Sequence, residues 1–221
     1  MERKVEITSD GSRTLYVPAL DEHYHSVKGA VAESLHVFIR MGLEHHPSVS
    51  LEVLEVGFGT GLNAFLTCLA AGKLRKQVHY TSVELYPLQP ACVASLGYPE
   101  RIAPGHAEDF RRLHACPWEE DVCISPFFTL HKREADFTAC VLPPSAFDVV
   151  YFDAFAPEKQ PEMWTHEVFA RLWEAMRPGG ILATYCAKGV VRRMLLQAGF
   201  SVERLPGPPG GKREILRAVK S

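Results

Sequence analysis

The stretch LEVLEVGFGTGLN, Leu51 to Asn63, decides the fold. Leu51 to Val56 is an apolar run of strand length, and Gly57, Gly59 and Gly61 follow it directly. Beyond them Leu62, Phe65, Leu66 and Leu69 recur at helical spacing, which gives a helix one apolar face to lay on a sheet. Buried strand, glycine turn and amphipathic helix, in that order, open a nucleotide-binding α/β unit. Glycine permits close backbone approach and dihedral angles that are costly for a residue with a Cβ. Such a turn also suits any crowded strand-to-helix crossing, so the neighbouring segments matter.

Outward from this unit the alternation repeats. Val78 to Glu84 reads as a second strand, with a helix from Pro87 to about Leu96 and another over His106 to Ala115. Phe127 to Lys132 and Phe147 to Phe152 read as the third and fourth strands. Pro161 opens a helix that carries Trp164, Val168, Leu172 and Met176 along one side. RPGG, Arg177 to Gly180, reads as a stop and turn before a fifth strand, Ile181 to Cys186. Val190, Val191, Met194 and Leu195 mark a further helix, capped by Gly199. Phe200 to Leu205 and Arg213 to Val219 form a final strand pair around GPPGGK. Upstream, Arg13 to Val17 is a short strand and Val27 to Met41 a helix. The series predicts a three-layer, Rossmann-like α/β fold with a mostly parallel sheet and N-terminal additions. Residues 1–46 read as an extension packed on a core at 47–221, with room for an inserted hairpin at 117–144.

Composition narrows the function classes. The 221 residues are 47% hydrophobic and 23% charged, which suits one globular domain rather than a disordered or fibrous chain. Acids number 26 against 24 bases, a net charge of -2, so any nucleic-acid face must be local. The opening MERKVEITSDGSRTLYVP lacks the apolar core of a secretion signal, and no run approaches the roughly 18 apolar residues of a membrane span. A cytoplasmic protein with no membrane contact is the expectation. The six cysteines contain no CxxC pair, and neither His23 with His25 nor His45 with His46 completes a ligand set. No metal is expected.

The cofactor site follows from the glycine turn. Leu62 stands where a dinucleotide fingerprint has its last glycine. Glu55, just before the turn, suits the sulfonium or amino group of S-adenosylmethionine better than an anionic pyrophosphate. Glu84 ends the second strand, where a carboxylate accepts hydrogen bonds from ribose hydroxyls. Asp136 would lie near adenine, Phe58 would add apolar contact, and Asn63 would bond to the cofactor. Each has a plainer alternative: a surface charge at a strand end for Glu55 and Glu84, packing beneath the loop for Phe58, and caps for Asp136 and Asn63. Asp153 emerges directly after FDVVYF, at the end of a buried strand, where open α/β sheets bind ligands. There it can orient or deprotonate an amine, or simply cap the turn into APEKQP.

The chain resembles the methyltransferase domain of the bacterial MnmC enzymes, in particular their standalone single-domain relatives. LEVGFGTGLN (Leu54 to Asn63), TSVELYP (Thr81 to Pro87) and DAFAPEKQPEMW (Asp153 to Trp164) carry the resemblance. So do ATYCAKGVVRRMLLQAGF (Ala183 to Phe200), GGKREILRA (Gly210 to Ala218) and the upstream AESLHVFI (Ala32 to Ile39). The resemblance implies a class I S-adenosylmethionine-dependent methyltransferase. Its substrate would be the exocyclic amine of 5-aminomethyl-(2-thio)uridine at the wobble position of a tRNA anticodon arm, with Asp153 as the active-site carboxylate. The larger bifunctional relatives add a flavin-dependent oxidoreductase domain. In 221 residues there is no room for it, so FAD is not expected and earlier modification steps would fall to separate enzymes. Phe155 and Pro157 would shape the opening for the uridine, and Lys188, Arg192, Arg193, Lys212 and Arg213 would meet tRNA phosphates or serve as ordinary solvated charges. Tyr24, Ser26, Glu33 and Ser34 would line the entrance. Two other readings stand beside this one: an N-methyltransferase of a small-molecule amine, and a noncatalytic S-adenosylmethionine-binding module.

Overall fold

In the computed structural model, which describes residues 2–221, the chain opens with a small antiparallel sheet. Its strands are β1 (Lys4–Ile7), β2 (Arg13–Val17) and β3 (Glu22–His23). A helix follows, α1 (Ala30–Ser34), and widens without a break into π-helical winding over Leu35–Leu43. There the Glu44 N–H reaches back five residues to the Ile39 carbonyl at 2.8 Å. The main sheet begins with β4 (Ser50–Val56), crosses through α2 (Leu62–Leu74) and returns as β5 (Gln77–Glu84). Short helices α3 (Pro90–Ala94) and α4 (Tyr98–Ile102) lead to α5 (Ala107–Ala115) and a hairpin of β6 (Asp121–Ser125) and β7 (Phe128–Glu134). The second half runs β8 (Phe147–Phe152), α6 (His166–Ala175), β9 (Met176–Thr184), α7 (Gly189–Gln197), β10 (Phe200–Pro206) and β11 (Glu214–Lys220).

Strand order in the main sheet is β10-β11-β9-β8-β4-β5-β7-β6. The five inner strands β9, β8, β4, β5 and β7 are parallel; β11 and β6 run against them on either side, and the edge strand β10, antiparallel to β11, runs with them again. Successive side chains on a buried strand point to opposite faces, and the two faces here have separate cores. Val53, Tyr80, Val149 and Tyr151 join Phe38 and Phe65 on the side of α2 and the π-helical segment. Leu54, Val83, Val150 and Phe152 join Phe169, Leu172, Val191 and Leu195 on the side of α6 and α7. This is a three-layer α/β sandwich of class I methyltransferase type.

Several element boundaries depart from the sequence reading. The first helix starts at Ala30 rather than Val27: Gly29 is at φ 141, and Asp10, from the β1–β2 turn, accepts the Ala32 N–H at 2.9 Å. The helix expected from Pro87 shrinks to α3, because Gln89 is still extended and Pro90 sets the first turn. Trp164 precedes α6 instead of lying within it. Thr165 caps that helix by accepting the Val168 N–H at 3.3 Å. RPGG does not stop the chain before a strand; it lies inside β9. Phe147 pairs with Met176 and Val149 with Ile181, so the extra β9 residues bulge out of register. The 117–144 region does hold a hairpin, β6–β7, which widens the sheet by one antiparallel strand.

Candidate active site

Register fixes what stands where at the carboxyl ends of the parallel strands. Glu55 pairs with Ser82 on one side and Tyr151 on the other, so these three form one row on the α2 face. Two residues further along each strand direction come Gly57, Glu84 and Asp153, which form the rim. Strand order reverses here, between β4 and β8, which is where open α/β sheets leave a crevice.

The glycine loop is tied down from both sides. Gly57 donates to the Val83 carbonyl, and Gly59 donates to Glu84 Oε2, both at 2.9 Å. The other oxygen of Glu84 accepts the Tyr86 N–H at 2.8 Å. At Gly59, φ is +48 and a Cβ would lie 3.0 Å from the Tyr24 ring. At Gly61, φ is +71 and a Cβ would lie 2.5 Å from Nε2 of His114. Both positions therefore require glycine, by conformation and by space.

Two cavities open beside this loop. The first, about 570 Å³, is lined by Gly57, Phe58, Gly59, Asn63, Glu84 and Asp136 among others. The second, about 610 Å³, includes Glu33, Pro157, Tyr185, Lys188, Lys212 and Arg213 in its lining. Tyr24, His25, Asp153, Ala154 and Phe155 line both. Tyr24 and Phe155 meet edge to face, centroids 5.2 Å apart. Thus Asp153 stands where the two spaces adjoin, and Asn63 Nδ2 donates to its Oδ2 at 2.8 Å. Burial pushes the Asp153 carboxyl up to about 7; the Asn63 amide and Lys212 act against this, and Glu33 acts with it.

The other expected residues divide. Glu55 is 0% exposed and lies a row below the rim, so it does not reach either cavity as a cofactor contact. The count explains this: Glu55 stands two residues before Gly57, within the strand. Phe58 packs against His114, centroids 5.1 Å apart, as well as lining the first cavity. Asp136 lines that cavity while its Oδ1 accepts the N–H and hydroxyl of Thr138, at 2.8 and 2.7 Å. Lys188 pairs with Glu158, and Lys212 pairs with Glu33 at 3.1 Å while standing over the Tyr185 ring. Arg192 and Arg193, early in α7, line neither cavity. Ser34 is buried away from both.

Tyr185 was not singled out by the sequence reading, and His25 was weighed there only as a metal ligand. His25 Nε2 lies 2.6 Å from the Thr60 hydroxyl, and burial holds the imidazole down at about 4, so it is neutral. Tyr185 directly follows β9, as Asp153 follows β8, and its hydroxyl donates to the Ala154 carbonyl at 2.8 Å. The strand-end rule that picks out Asp153 missed it because the sequence reading carries the strand on to Cys186, whereas β9 ends at Thr184. Among the described residues, no group of three or more His, Cys, Asp or Glu side chains is placed to hold a metal ion. No helix among them is long and apolar enough to cross a membrane.

Comparison with known proteins gives this geometry a family context. Residues 129–221 match a family described as S-adenosyl-L-methionine-dependent methyltransferase. The MnmC protein of Pseudomonas entomophila, a "tRNA 5-methylaminomethyl-2-thiouridine biosynthesis bifunctional protein", is 33% identical over 219 residues. That alignment covers 90% of this chain and 32% of the relative. Among solved structures, MNMC2 from Aquifex aeolicus superposes with a TM-score of 0.76 at 25% identity, over 100% of this chain and 71% of that one. Over nearly its whole length the chain is thus similar to part of the MnmC proteins. It spans about a third of the length of the curated relatives it matches. Spermidine synthase from Thermotoga maritima, at 14% identity and TM-score 0.56, covers 100% of this chain and 72% of its own, and shares the fold. Fold and family match together support S-adenosylmethionine as the cofactor.

Proposed function

We propose that this MnmC-like domain transfers a methyl group from S-adenosylmethionine to the exocyclic amine of 5-aminomethyl-(2-thio)uridine at the tRNA wobble position. The observation that carries the reading is the junction of the two cavities at Asp153. The first cavity suits the cofactor: the loop at Gly59 and Gly61 is a cradle that any Cβ would fill. Glu84, Asp136 and Phe58 would hold it there, with Glu84 presenting acceptors for ribose hydroxyls. When bound, the cofactor supplies an electrophilic methyl group.

The protein's own residues manage the acceptor. An alkylamine resembles lysine and is protonated near neutrality, so its nitrogen needs to lose a proton before it can attack. Asp153, pushed up to about 7, is matched to take that proton at physiological pH. Asn63 fixes the direction of its carboxylate. Glu33 places a second acid in the acceptor cavity, with Lys212 partly balancing it. Phe155 and Pro157 would shape the opening for the uracil ring. Lys188, Lys212 and Arg213 at the rim, and Arg192 and Arg193 beyond it, would meet phosphates of the anticodon arm. Residues 1–46 would act as an accessory layer that supplies Tyr24 and His25 to the core at 47–221. A tRNA substrate also favours a cytoplasmic enzyme.

The test supplies purified protein with S-adenosylmethionine and tRNA bearing 5-aminomethyl-2-thiouridine, then reads the nucleosides by mass spectrometry. Methyl gain on the exocyclic nitrogen is expected. Equal gain on the free nucleoside would point to a small-molecule amine methyltransferase, and binding without gain to a noncatalytic module.

A further inference from the structure

Beneath the rim, three buried polar atoms lack a hydrogen-bond partner: Glu55 Oε1, Asn63 Oδ1 and the Tyr80 hydroxyl. Their residues are 0%, 2% and 0% exposed, so bulk water does not serve them. All three belong to the α2 face, since Tyr80 stands two residues before Ser82 and Asn63 is in the first turn of α2. Two bonds orient the cluster. The Ser82 hydroxyl donates to Glu55 Oε2 at 2.6 Å, and Asn63 donates through Nδ2 to Asp153. Asn63 has therefore committed its amine to Asp153, and its carbonyl oxygen needs a donor. An ionised Glu55 has none to give.

The geometry points to Glu55 as a positioning residue that keeps a proton on Oε1 and donates it in a hydrogen bond to Asn63 Oδ1. That proton pairs Glu55 Oε1 with Asn63 Oδ1, because Oε1–H is the donor that Asn63 lacks. With its carbonyl held, Asn63 cannot turn its amide over. Its amine stays on Asp153 and favours the ionised form of that carboxylate. Burial holds the Glu55 carboxyl well above the usual range; the Ser82 hydroxyl opposes this and the Asp153 charge reinforces it. The groups facing the cluster are Tyr80 and Ser82 from β5, Tyr151 and Asp153 from β8, and Asn63 from α2. Lys132, next in the row on β7, turns its ammonium to the His114 carbonyl at 3.0 Å. Glu33 and Lys212 act on Asp153 from the cleft side. The sealed acid thus carries the proton, so that the acid open to the cleft can ionise.

This inference deepens the proposed function, because it assigns Asp153 the acceptor amine. Two measurements keep it distinguishable from that reading. The first is infrared spectroscopy of the protein without cofactor or tRNA, taken at pH 9, where Asp153 is ionised. A protonated-carboxyl band should be present there in the parent and in Asp153→Asn, and lost in Glu55→Gln. The second is single-turnover methyl transfer as a function of pH. Gln supplies the same donor and the same acceptor, so Glu55→Gln should stay within about twofold of the parent with an unchanged profile. Glu55→Leu leaves Asn63 Oδ1 unpaired, so the rate should fall about tenfold. Its inflection should also move to higher pH, as Asp153 loses a well-aimed donor. A band that survives Glu55→Gln but vanishes in Asp153→Asn would overturn the inference, with the proton on Asp153 and the Asn63 amide reversed. So would a Glu55→Leu profile identical to the parent's. Should Glu55→Leu fail to fold, the glutamine variant still decides. A parent that methylates no amine would count against the functional reading, while the infrared comparison would still locate the proton.

Discussion

Replacing Asp153 by Asn removes a charge while keeping shape and an acceptor for Asn63. In the parent, a carboxyl pushed up to about 7 is about half ionised at pH 7. Its occupied base form should make the rate rise with pH and level off above that value. Without the base, only amine that is already neutral can react. For a lysine-like amine of pKa about 10.4, that is about one molecule in a few thousand at pH 7. A positioned base contributes about 10²- to 10⁴-fold. The single-turnover rate of Asp153→Asn, with cofactor and tRNA saturating, should therefore fall about 10²- to 10³-fold at pH 7. It should then climb about tenfold per pH unit up to pH 9, with no inflection near 7. Quenched-flow transfer of a labelled methyl group reads this directly, with calorimetry confirming that both ligands still bind. A folded variant matching the parent's rate at pH 7 would falsify the base assignment and return Asp153 to a structural turn. A large loss that high pH does not rescue would instead assign it to orienting the amine.

Other consequences can be measured alongside. Gly59→Val should abolish most S-adenosylmethionine binding by calorimetry, since even a Cβ meets Tyr24 at 3.0 Å in a left-handed backbone; Glu84→Ala should weaken it by removing both the ribose acceptor and the Gly59 bond. Unchanged affinity in both would remove the first cavity from the cofactor site. Arg192→Ala with Arg193→Ala should raise the tRNA dissociation constant several-fold at low salt, as expected of lost phosphate contacts, and leave cofactor affinity alone. An unaltered salt slope would show these two to be ordinary solvated charges. His79 on β5 bonds Glu52 on neighbouring β4 at 2.7 Å and Asp121 on β6, two strands away, at 3.1 Å. Burial lowers its pKa, but Asp121 and Glu52 outweigh this and raise it above 6.5. A raised folded-state value means the bonus is complete below pH 6.5 and fades as pH climbs through the folded pKa. The Tm gap between the parent and His79→Gln should narrow between pH 6 and 8, and a constant gap would refute the linkage.

Much of the parallel core was legible because its strands are buried on both faces and their apolar runs end at glycine or acid. LEVLEV and FDVVYF are of this kind, and the residue just past FDVVYF, Asp153, reaches both cavities. Glu55 was assigned to the cofactor because its charge stands close before the glycine turn, while its place on the α2 face of β4 seals it beneath the rim. RPGG was misread because a bulge and a turn use the same residues, and only pairing with β8 separates them. His25 was hidden for another reason. Nothing local shows that a three-stranded sheet at the chain's start will fold over the glycine loop and bring an imidazole to Thr60, 35 residues away.

That arrangement bears on the order in which the site is built. The glycine cradle needs only β4, α2 and β5, a continuous stretch of chain. The acceptor cavity needs partners from far apart in sequence. There Lys212 closes on Glu33; beside the first cavity Lys159 meets Asp21 across 138 residues, and elsewhere His36 meets the Pro206 carbonyl across 170. Such contacts form only after the intervening loops have been closed, the slow part of folding a nonlocal topology. The glycine loop can thus take shape on a nascent sheet, whereas both cavities are completed only when distant parts of the chain come together.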